Sequence, residues 1–404
     1  MKVYLVGGAV RDKLLGLEPK DLDYVVVGST PEEMLSLGFK QVGKDFPVFL
    51  KHGNEYALAR RERSTGAGYN DFVCEFGVDV TLEEDLGRRD LTINSIALDG
   101  EEIIDPFKGM QDIKDKVIRH TSDAFSEDPV RILRALRFST TLDFSIHPDT
   151  NHLIFTMVKE GALHDVTPER VWTEMHKAFK ANNPGDFLWL MADLGIFPEV
   201  TELYDTPQSP VHHPEGNVGI HTEMVMNHTL SDPKLVFAAM CHDFGKPVTQ
   251  AKYGNAHGHE EAGVAVIQEF CAKWKVPNDY RDLAILMSRH HTKVHSCLGR
   301  GDNKGLKAKT IMKLFEDTKA ITNPSRFLEL LVTCEADAKG RGGKFPNQEY
   351  PQLLFLWQCL LAVKELDTKS ITSSMLELGK SGLSIGEAIR VARIGEIRNV
   401  INMH

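Results

Sequence analysis

The pattern of apolar residues changes once along the chain, near residue 108, and this change limits the folds that are open to it. Before that point, short runs typical of strands, such as KVYLV and DYVVVG, are interleaved with short helical patterns. From about Gln111 onward the pattern is almost entirely helical. The sequence therefore predicts an α+β or α/β unit that is followed by a larger all-α region.

The length and composition are those of a soluble protein with several domains. A chain of 404 residues is too long for one ordinary core. No run approaches the ~18 apolar residues of a membrane span, and we find no secretory signal. The six cysteines form no CxxC pair, and the formal net charge is −10. We expect a cytoplasmic protein with free thiols. Its surface should not be basic overall, although the composition does not exclude a local basic groove.

Two aspartates, Asp21 and Asp23, precede an apolar run that is typical of a strand. Residues i and i+2 of a strand point to the same face. We therefore predict that the two carboxylates project together, with Cα atoms roughly 6.5–7 Å apart. Two carboxylates in this arrangement can bind Mg²⁺ together with substrate phosphates. A polar strand edge would give the same pattern.

A glycine pair and an arginine lie just upstream of these acids. Gly7 and Gly8 separate a predicted strand from a predicted helix, and Arg11 lies inside that helix. Glycine allows close approach of the backbone to a phosphate, and a helix N-terminus favours anions. Arg11 adds charge-assisted donors. With the two carboxylates, these residues predict a site for a nucleoside triphosphate and its metal ions, although a glycine pair alone would indicate only a turn.

A predicted helix with Ser126 as its N-cap carries one acid and three arginines at a spacing of three. A carboxylate accepts from amino groups, and a guanidinium donates to ring nitrogens and carbonyls. Asp128 and Arg131 therefore fit a protein template for cytosine and adenine, whose exocyclic groups are both amino donors. An amphipathic helix with a basic outer stripe is the alternative. The full series is Asp128, Arg131, Arg134 and Arg137.

Histidines and aspartates form a second constellation in the helical region. His221 lies in one predicted helix, and His242 and Asp243 end another, before Gly245 and Pro247. Mixed nitrogen and oxygen ligands suit transition metals better than Mg²⁺, and a bound metal can activate water for phosphate-ester hydrolysis. Each histidine alone could equally be a surface or capping residue. The further candidates are Asp337 as a ligand, His228 as a substitute for His221, and His257, His259, His290 and His291 for a second metal or a phosphate.

Three segments resemble, in order, the motifs of one nucleotidyltransferase family. GGAVRDKLLGLEPKDLD, RRDLTINSIALD and EDPVRILRALRF resemble signatures of the class II tRNA CCA-adding enzymes and bacterial poly(A) polymerases. TPERVW, with a predicted helix start at Pro168, resembles the beginning of their neck helices. The resemblance implies a polymerase-beta-like α+β head with a mixed sheet, two-metal phosphoryl transfer with Mg²⁺, and release of pyrophosphate.

The same resemblance implies roles for individual residues. Asp21 and Asp23 would be the catalytic, Mg²⁺-binding pair, and Asp128 and Arg131 would be the template pair. Asp90 is either a further acid near the metals or a residue that only holds an arginine, and we favour the second. The residues that would bind ATP or CTP are Gly8, Arg11, Arg89, Asp128, Arg131, Arg134 and Arg137.

The second constellation resembles the HD phosphohydrolase superfamily, including HDFGKP and HGHEEAG. In bacterial CCA-adding enzymes, an HD domain with phosphatase, 2′-nucleotidase and 2′,3′-cyclic phosphodiesterase activities follows the head and neck. The resemblance implies these activities here, with His242 and Asp243 as catalytic residues and nickel or another transition metal as cofactor. The implied ligands of that metal are His221, His242, Asp243 and Asp337.

The resemblance implies an enzyme that builds or repairs the 3′-terminal CCA of tRNA from CTP and ATP without a nucleic-acid template. A poly(A) polymerase, or a specialist that adds only CC or only A, is the alternative; monomer and homodimer both stay open. A Pro-, Gly- and His-rich stretch from Asp205 to Gly219 is expected to be a linker or loop. We expect a nucleotidyltransferase head with the template helix at 1–140, a helical neck at 141–204, an HD domain at 205–345 and a helical tail that contacts tRNA at 346–404.

Overall fold

The computed structural model describes residues 1–42, 48–64, 72–229, 232–299 and 304–403, except for the side chains at 62–64, 72–74 and 165. The chain divides into two compact units, Met1–Ala178 and Phe179–His404. The strands of the described residues all lie in the first unit. This confirms the predicted α+β region that is followed by a helical one. The four-part division of the sequence stays a prediction.

The first unit is built on a seven-stranded mixed sheet and two small two-stranded sheets. The strands are β1 (Lys2–Val6), β2 (Asp23–Val27), β3 (Lys40–Val42), β4 (Val48–Lys51), β5 (Asn54–Leu58), β6 (Arg60–Ser64), β7 (Phe72–Phe76), β8 (Ala97–Asp99), β9 (Glu102–Ile104), β10 (Val117–Ile118) and β11 (Ser145–Ile146). The large sheet has the order β3-β4-β5-β2-β1-β8-β9, and β6 pairs with β7 and β10 with β11. β2 and β5 run parallel, and the other neighbours in the large sheet are antiparallel.

The helices of the first unit follow the sequence pattern with one shift. They are α1 (Gly8–Leu14), α2 (Pro31–Ser36), α3 (Leu82–Gly87), α4 (Gly109–Asp115), α5 (Val130–Leu142), α6 (Pro148–Lys159) and α7 (Pro168–Ala178). α7 begins at Pro168, as predicted. The prediction of Ser126 as the N-cap of α5 is wrong, because the N-cap is Pro129. A proline disfavours helical backbone at the residue before it, and Asp128 is accordingly extended.

The second unit is helical throughout its described residues. Its helices are α8 (Gly185–Asp193), α9 (Pro198–Asp205), α10 (Val218–Asn227), α11 (Pro233–Cys241), α12 (Gly245–Tyr253), α13 (His259–Lys273), α14 (Asn278–His295), α15 (Ala308–Asp317), α16 (Pro324–Lys339), α17 (Pro351–Glu365), α18 (Thr368–Glu377) and α19 (Leu383–Met403). In the part of the chain that the structure describes, no helix combines the length and apolar character needed to cross a membrane.

Two glycines allow α12 and α13 to pack closely. A Cβ atom on Gly245 would lie 2.0 Å from the carbonyl oxygen of His259 and 2.5 Å from the backbone nitrogen of Gly263. Both atoms belong to the backbone, so no side chain can move aside to relieve the contact. This close approach places the start of α12 against the first turn of α13.

We predict that Gly245→Ala lowers the melting temperature of the second unit, because overpacking of this kind costs about 1–3 kcal/mol. Gly395→Ala is the matched control, since Gly395 lies inside α19 with no atom within 4 Å of its added Cβ. Replacing an interior helix glycine with alanine is favourable by up to about 1 kcal/mol. Differential scanning calorimetry of the full chain measures both changes. Equal melting temperatures for Gly245→Ala and the unsubstituted protein would contradict the prediction.

Candidate functional sites

Asp21 and Asp23 lie at one end of β2, and only Asp23 belongs to the strand. The β1–β2 ladder ends with the pair Val6 and Asp23, because Gly7, with a φ of 69°, turns the chain into α1. β1 has no residue left to pair with Asp21, so the prediction that both acids belong to one strand is wrong. The pKa of Asp23 is raised, mainly by partial desolvation; Arg89 opposes this shift and the charge of Asp21 adds to it.

Arg11 and Arg89 bring two sequence motifs together beside the glycine pair. A Cβ atom on Gly7 would lie 3.0 Å from Nη1 of Arg89, and one on Gly8 would lie 3.5 Å from Nη2 of Arg11. Arg11 also donates from Nη1 to the side-chain oxygen of Asn94 at 2.7 Å. A side chain at Gly7 would therefore crowd Arg89, whereas a Cβ at Gly8 would be in ordinary contact with Arg11.

Two buried aspartates orient the arginines of this site. Asp85 accepts from Arg88 and Arg89, each at 3.1 Å, and Asp90 accepts from Nε of Arg134 at 2.7 Å. Burial raises the pKa of both carboxyl groups, but the adjacent guanidinium groups outweigh it, so that both pKa values are lowered. The structure thus confirms that Asp90 holds an arginine.

Phe138 on α5 lies beneath three guanidinium groups. The distances from its ring centroid to Cζ are 3.8 Å for Arg137, 4.7 Å for Arg11 and 5.6 Å for Arg134. Arg137 is buried and donates to Glu174 of α7 at 2.5 Å, so that it joins α5 to α7. Each of these guanidinium groups also pairs with a carboxylate, so that acids hold the three cations in place around the ring; the pairs are Arg11 with Asp12, Arg134 with Asp90 and Arg137 with Glu174.

Asp128 and Arg131 lie at the beginning of α5. One carboxylate oxygen of Asp128 accepts from the backbone nitrogen of Val130 at 3.2 Å, and the other accepts from Nη2 of Arg170 at 2.6 Å. Arg131 is buried and donates from Nη1 to the carbonyl oxygen of Ala124 at 2.6 Å. Sequence reasoning missed Arg170, although it lies inside the TPERVW segment that marked the start of α7.

Four histidines of the second unit direct their Nε2 atoms into one cavity. Each ring places Nδ1 against a backbone carbonyl, which only accepts, so Nδ1 carries a proton, and Nε2 has a lone pair when the ring is neutral. This arrangement orients histidine ligands in metal sites. Burial lowers the pKa of His221, but the hydrogen bonds to Asp337 and Glu215 outweigh it and raise the pKa to about 8. The carbonyl partners are Gly340 for His221 (2.9 Å), Ala239 for His242 (2.7 Å), Ala256 for His259 (2.7 Å) and Met287 for His291 (3.0 Å).

Two buried aspartates lie among these Nε2 atoms. An Asp337 oxygen lies 3.1 Å from Nε2 of His221 and 3.9 Å from that of His242. One oxygen of Asp243 lies 3.2 Å from Nε2 of His242, and the other lies 3.5 Å from that of His259. Burial raises the pKa of both aspartates, but neighbouring positive groups hold both values well below the usual range.

Atoms at the centre of this cluster lack partners that a cation would supply. Within the described residues, the buried atoms His242 Nε2 and Asp243 Oδ1 have no hydrogen-bond partner. The Nε2 atoms of His259 and His291 face each other at 3.2 Å, although both rings hold their proton on Nδ1. Nitrogen and oxygen donors in this arrangement fit a transition metal. Two groups of three possible ligands lie at this centre, namely His221, His242 and Asp337, and Asp243, His259 and His291. A third group, His213, Glu215 and His221, borders them.

The other predicted features of this constellation fall partly outside the cluster. His242 ends α11 as its C-cap, which confirms that the His242–Asp243 pair lies at a helix end. Gly245 and Pro247 do not form a loop; they belong to the first turn of α12, where a proline needs no N–H partner. His228 bonds to the carbonyl oxygen of Met224 and is in none of these ligand groups. His257 and His290 are also in none of them.

His295 links the cluster to a tyrosine and was missed by sequence reasoning. Its Nε2 lies 2.7 Å from Oδ2 of Asp337, and its Nδ1 lies 2.8 Å from the hydroxyl of Tyr350. Burial raises the pKa of Tyr350, so the hydroxyl keeps its proton and donates to Nδ1, and Nε2–H then donates to Asp337. The signal was available, because His291 and His295 are four residues apart on α14 and share a face.

The stretch from Asp205 to Gly219, which was expected to be a linker or loop, contributes Glu215 to the same cluster. Glu215 lies 2.9 Å from Nδ1 of His213 and 3.2 Å from Nδ1 of His221, and it accepts from the backbone nitrogen of Gly342 at 3.0 Å. Burial raises the pKa of Glu215, but these hydrogen bonds outweigh it and lower the pKa to about 2. Because Nδ1 of His221 carries a proton, Glu215 orients that ring.

Three protein-family models match the chain along most of its length. The Poly A polymerase head domain matches residues 3–119, the probable RNA- and SrmB-binding site of polymerase A matches 143–204, and the HD domain matches 212–330. Together they match parts of both units that the structure separates and do not include residues 331–404.

Curated proteins resemble the chain over its full length. The Multifunctional CCA protein of Shewanella frigidimarina is 46% identical over 413 residues, which cover 99% of this chain and 97% of that protein. The protein of the same name from Psychromonas ingrahamii is 43% identical over 418 residues, which cover 100% of both.

Solved structures share the fold at lower sequence identity. The Thermotoga maritima CCA-adding enzyme complexed with tRNA is 21% identical, with a TM-score of 0.64 and coverage of 99% of this chain and 90% of that one. The Bacillus stearothermophilus CCA-adding enzyme in complex with CTP is 24% identical, with a TM-score of 0.61 and coverage of 99% and 88%.

We predict that His221→Ala weakens the binding of Ni²⁺ to the second unit, whereas His228→Ala does not. His221 directs Nε2 at the cluster, and His228, on the same helix, does not belong to it. Loss of a residue that only supports a ligand costs roughly 10–100-fold in metal affinity, and we expect at least the upper value for a ligand. Isothermal titration calorimetry of the metal-depleted protein measures the change. Equal losses for the two variants would exclude the ligand set.

Proposed function

The chain belongs to the family of multifunctional CCA proteins, and we propose how its residues carry out two reactions. The first unit is a nucleotidyltransferase that adds cytidylate and adenylate to the 3′ end of tRNA from CTP and ATP and releases pyrophosphate. The second unit hydrolyses phosphate esters. Transfer RNA, CTP and ATP are the partners of the chain, and the protein acts in the cytoplasm.

The convergence of Asp21, Asp23, Arg11 and Arg89 beside Gly7–Gly8 carries the proposal for the first reaction. Asp21 and Asp23 are exposed carboxylates close enough to affect each other's ionisation, and hard oxygen donors of this kind fit Mg²⁺. Bound Mg²⁺ supplies charge stabilisation at the attacking and leaving oxygens. Arg11 and Arg89 bind the triphosphate oxygens, with a close approach at the glycine backbone.

Selection of the base belongs to the start of α5. The carboxylate of Asp128 accepts from the exocyclic amino group of cytosine or adenine, and Arg131 donates to the ring. Arg170 holds one oxygen of Asp128 at 2.6 Å and thereby orients the other toward the base. Arg134 binds phosphate or base, whereas Arg137 positions α5 through its bond to Glu174.

The proposal for hydrolysis rests on two buried atoms, His242 Nε2 and Asp243 Oδ1, that have no hydrogen-bond partner among the described residues. His221, His242, Asp243 and Asp337 hold a transition metal, for which nickel is the candidate. A metal in this position lowers the pKa of a bound water. The chain's own groups surround a cavity of about 370 Å³ in which a phosphate ester fits. The substrates that we propose are phosphate monoesters, 2′-nucleotides and 2′,3′-cyclic phosphates.

We predict that Asp21→Ala lowers CCA addition by about a thousandfold or more, because the metal contributes several kcal/mol, and leaves 2′-AMP hydrolysis unchanged. Asp243→Ala has the reverse effect. The first activity is measured with tRNA that lacks CCA, CTP and ATP, and the second by phosphate release.

Two outcomes would overturn the proposal. If one substitution removed both activities in a folded protein, the two sites would not be independent. If the unsubstituted enzyme added long adenylate tracts without cytidylate, it would be a poly(A) polymerase, and addition of only CC or only A would identify a specialist.

We predict that Arg170→Ala reduces discrimination against UTP and GTP without abolishing nucleotide addition. The substitution removes the bond that orients Asp128, and a good bidentate pair contributes about 1–3 kcal/mol of base discrimination, so we expect about a tenfold loss. Arg119→Ala is the control, since Arg119 pairs with Asp112 between α4 and β10. The ratio of kcat/KM for CTP over UTP measures the effect. An unchanged ratio would remove Arg170 from the template.

A further inference from the structure

The candidate metal ligands line the cavity of about 370 Å³, which we call the metal cavity. A second cavity of about 250 Å³ lies beside it. The two cavities share two lining residues, His295 and Arg341. Tyr350, whose hydroxyl bonds to His295, also lines the second cavity. His295 and Arg341 therefore border both cavities, and a ligand that occupied both would lie against the side chain of Arg341.

The positive charge of Arg341 affects one titratable group beside the metal cluster and one in the second cavity. Burial is the main cause of the shifted pKa values of His213, which is lowered to about 4, and of Tyr350, which is raised; the guanidinium of Arg341 affects both. His213 lies beside the metal cluster, and Tyr350 lies in the second cavity. A phosphate at the metal cluster would therefore lie near a cation whose other side faces the second cavity.

The second cavity has the composition of a subsite for a ring. Phe345 lines it as a half-buried ring, with Cζ of Arg341 5.6 Å from the ring centroid. Aromatic rings and guanidinium planes are the groups on which unpaired nucleobases stack. Its volume lies just below the range of about 300–1,000 Å³ typical of whole small-molecule sites, so it suits one base and not a complete nucleotide.

A buried acceptor adds a preference among bases. Gln352 lines the cavity and is 3% exposed. Its Nε2 donates to the carbonyl oxygen of His295 at 3.4 Å, and within the described residues its Oε1 has no hydrogen-bond partner. An amide oxygen accepts from an exocyclic amino group and not from the keto oxygen of uracil.

We propose that the cavity lined by Phe345, Arg341 and Gln352 binds the nucleobase of the terminal nucleotide whose phosphate is hydrolysed at the metal cluster, with a preference for bases that carry an exocyclic amino group over uracil. This inference rests on the proposed hydrolytic function and names its substrate class: nucleotides with an amino-bearing base at an RNA 3′ end. Phe345 stacks on the base, Arg341 lies between base and phosphate, and Gln352 accepts from the amino group.

The test compares Phe345→Ala with Tyr253→Ala, which removes an aromatic ring of α12, 60% exposed, from another cavity that also borders the metal cavity, through Ala256 and His259. The substrates are 2′-AMP and glycerol 2-phosphate, which has no base. Phe345→Ala should raise KM for 2′-AMP about tenfold, the usual effect of losing one base–aromatic stack, and leave glycerol 2-phosphate unchanged. Tyr253→Ala should change neither value.

Several outcomes overturn the inference. It is wrong if Phe345→Ala leaves KM for 2′-AMP unchanged, if both substrates suffer equally, or if Tyr253→Ala alone has the effect. In the same assay, Gln352→Met should reduce the preference for 2′-AMP over 2′-UMP, and an unchanged preference would exclude Gln352 as the base acceptor.

A binding measurement separates failure of the inference from failure of the proposed function. Equilibrium dialysis of labelled 2′-AMP against the full-length protein, without added metal, requires no turnover, and binding to the first unit contributes equally to all variants. If the unsubstituted protein hydrolyses neither substrate, the hydrolytic function fails. The base subsite is then supported by weaker binding to Phe345→Ala, and it is excluded by equal binding.

Discussion

The hydrogen bond from histidine Nδ1–H to a backbone carbonyl organises the second unit. It fixes the tautomer of His221, His242, His259 and His291 and leaves their Nε2 lone pairs pointing at one another and at buried carboxylates. Without a cation, such an arrangement of acceptors is costly, because buried polar atoms need partners. The packing of the segments that supply the carbonyls and the rings therefore brings the possible metal ligands together, and Glu215, His295 and Tyr350 form hydrogen bonds at the edge of this group.

The two candidate sites place their acidic residues in different environments. In the first unit, the acids that would bind metal are exposed, and buried Asp85 and Asp90 serve to hold arginines. In the second unit, Asp243 and Asp337 are themselves buried among histidines. An exposed carboxylate pair suits a cation that arrives with a triphosphate, whereas a buried nitrogen and oxygen set suits a metal that stays with the protein.

Local features of both sites could be predicted from the sequence, and contacts between distant segments could not. The start of α7 at Pro168 and the position of His242 at a helix end follow from nearby residues. The position of Asp21 outside β2 depends on the length of β1, which Gly7 limits. Arg170, Glu215 and His295 meet partners 42, 6 and 42 positions away, respectively, and these contacts arise only when helices pack. The serine, threonine and glycine residues of Arg61–Val73 predict a flexible or ordinary hairpin loop, and this segment lies mostly outside the described side chains.

Helix α7 contacts both ends of the series Asp128, Arg131, Arg134 and Arg137. Arg170 of α7 bonds to Asp128, and Glu174 of α7 bonds to Arg137. One added residue between these two positions would rotate one of them by about 100° around the helix axis. Either Asp128 or the arginine beside Phe138 would then lose its partner. The segment from Arg170 to Glu174 can therefore vary in the side chains between its ends, but its length is fixed.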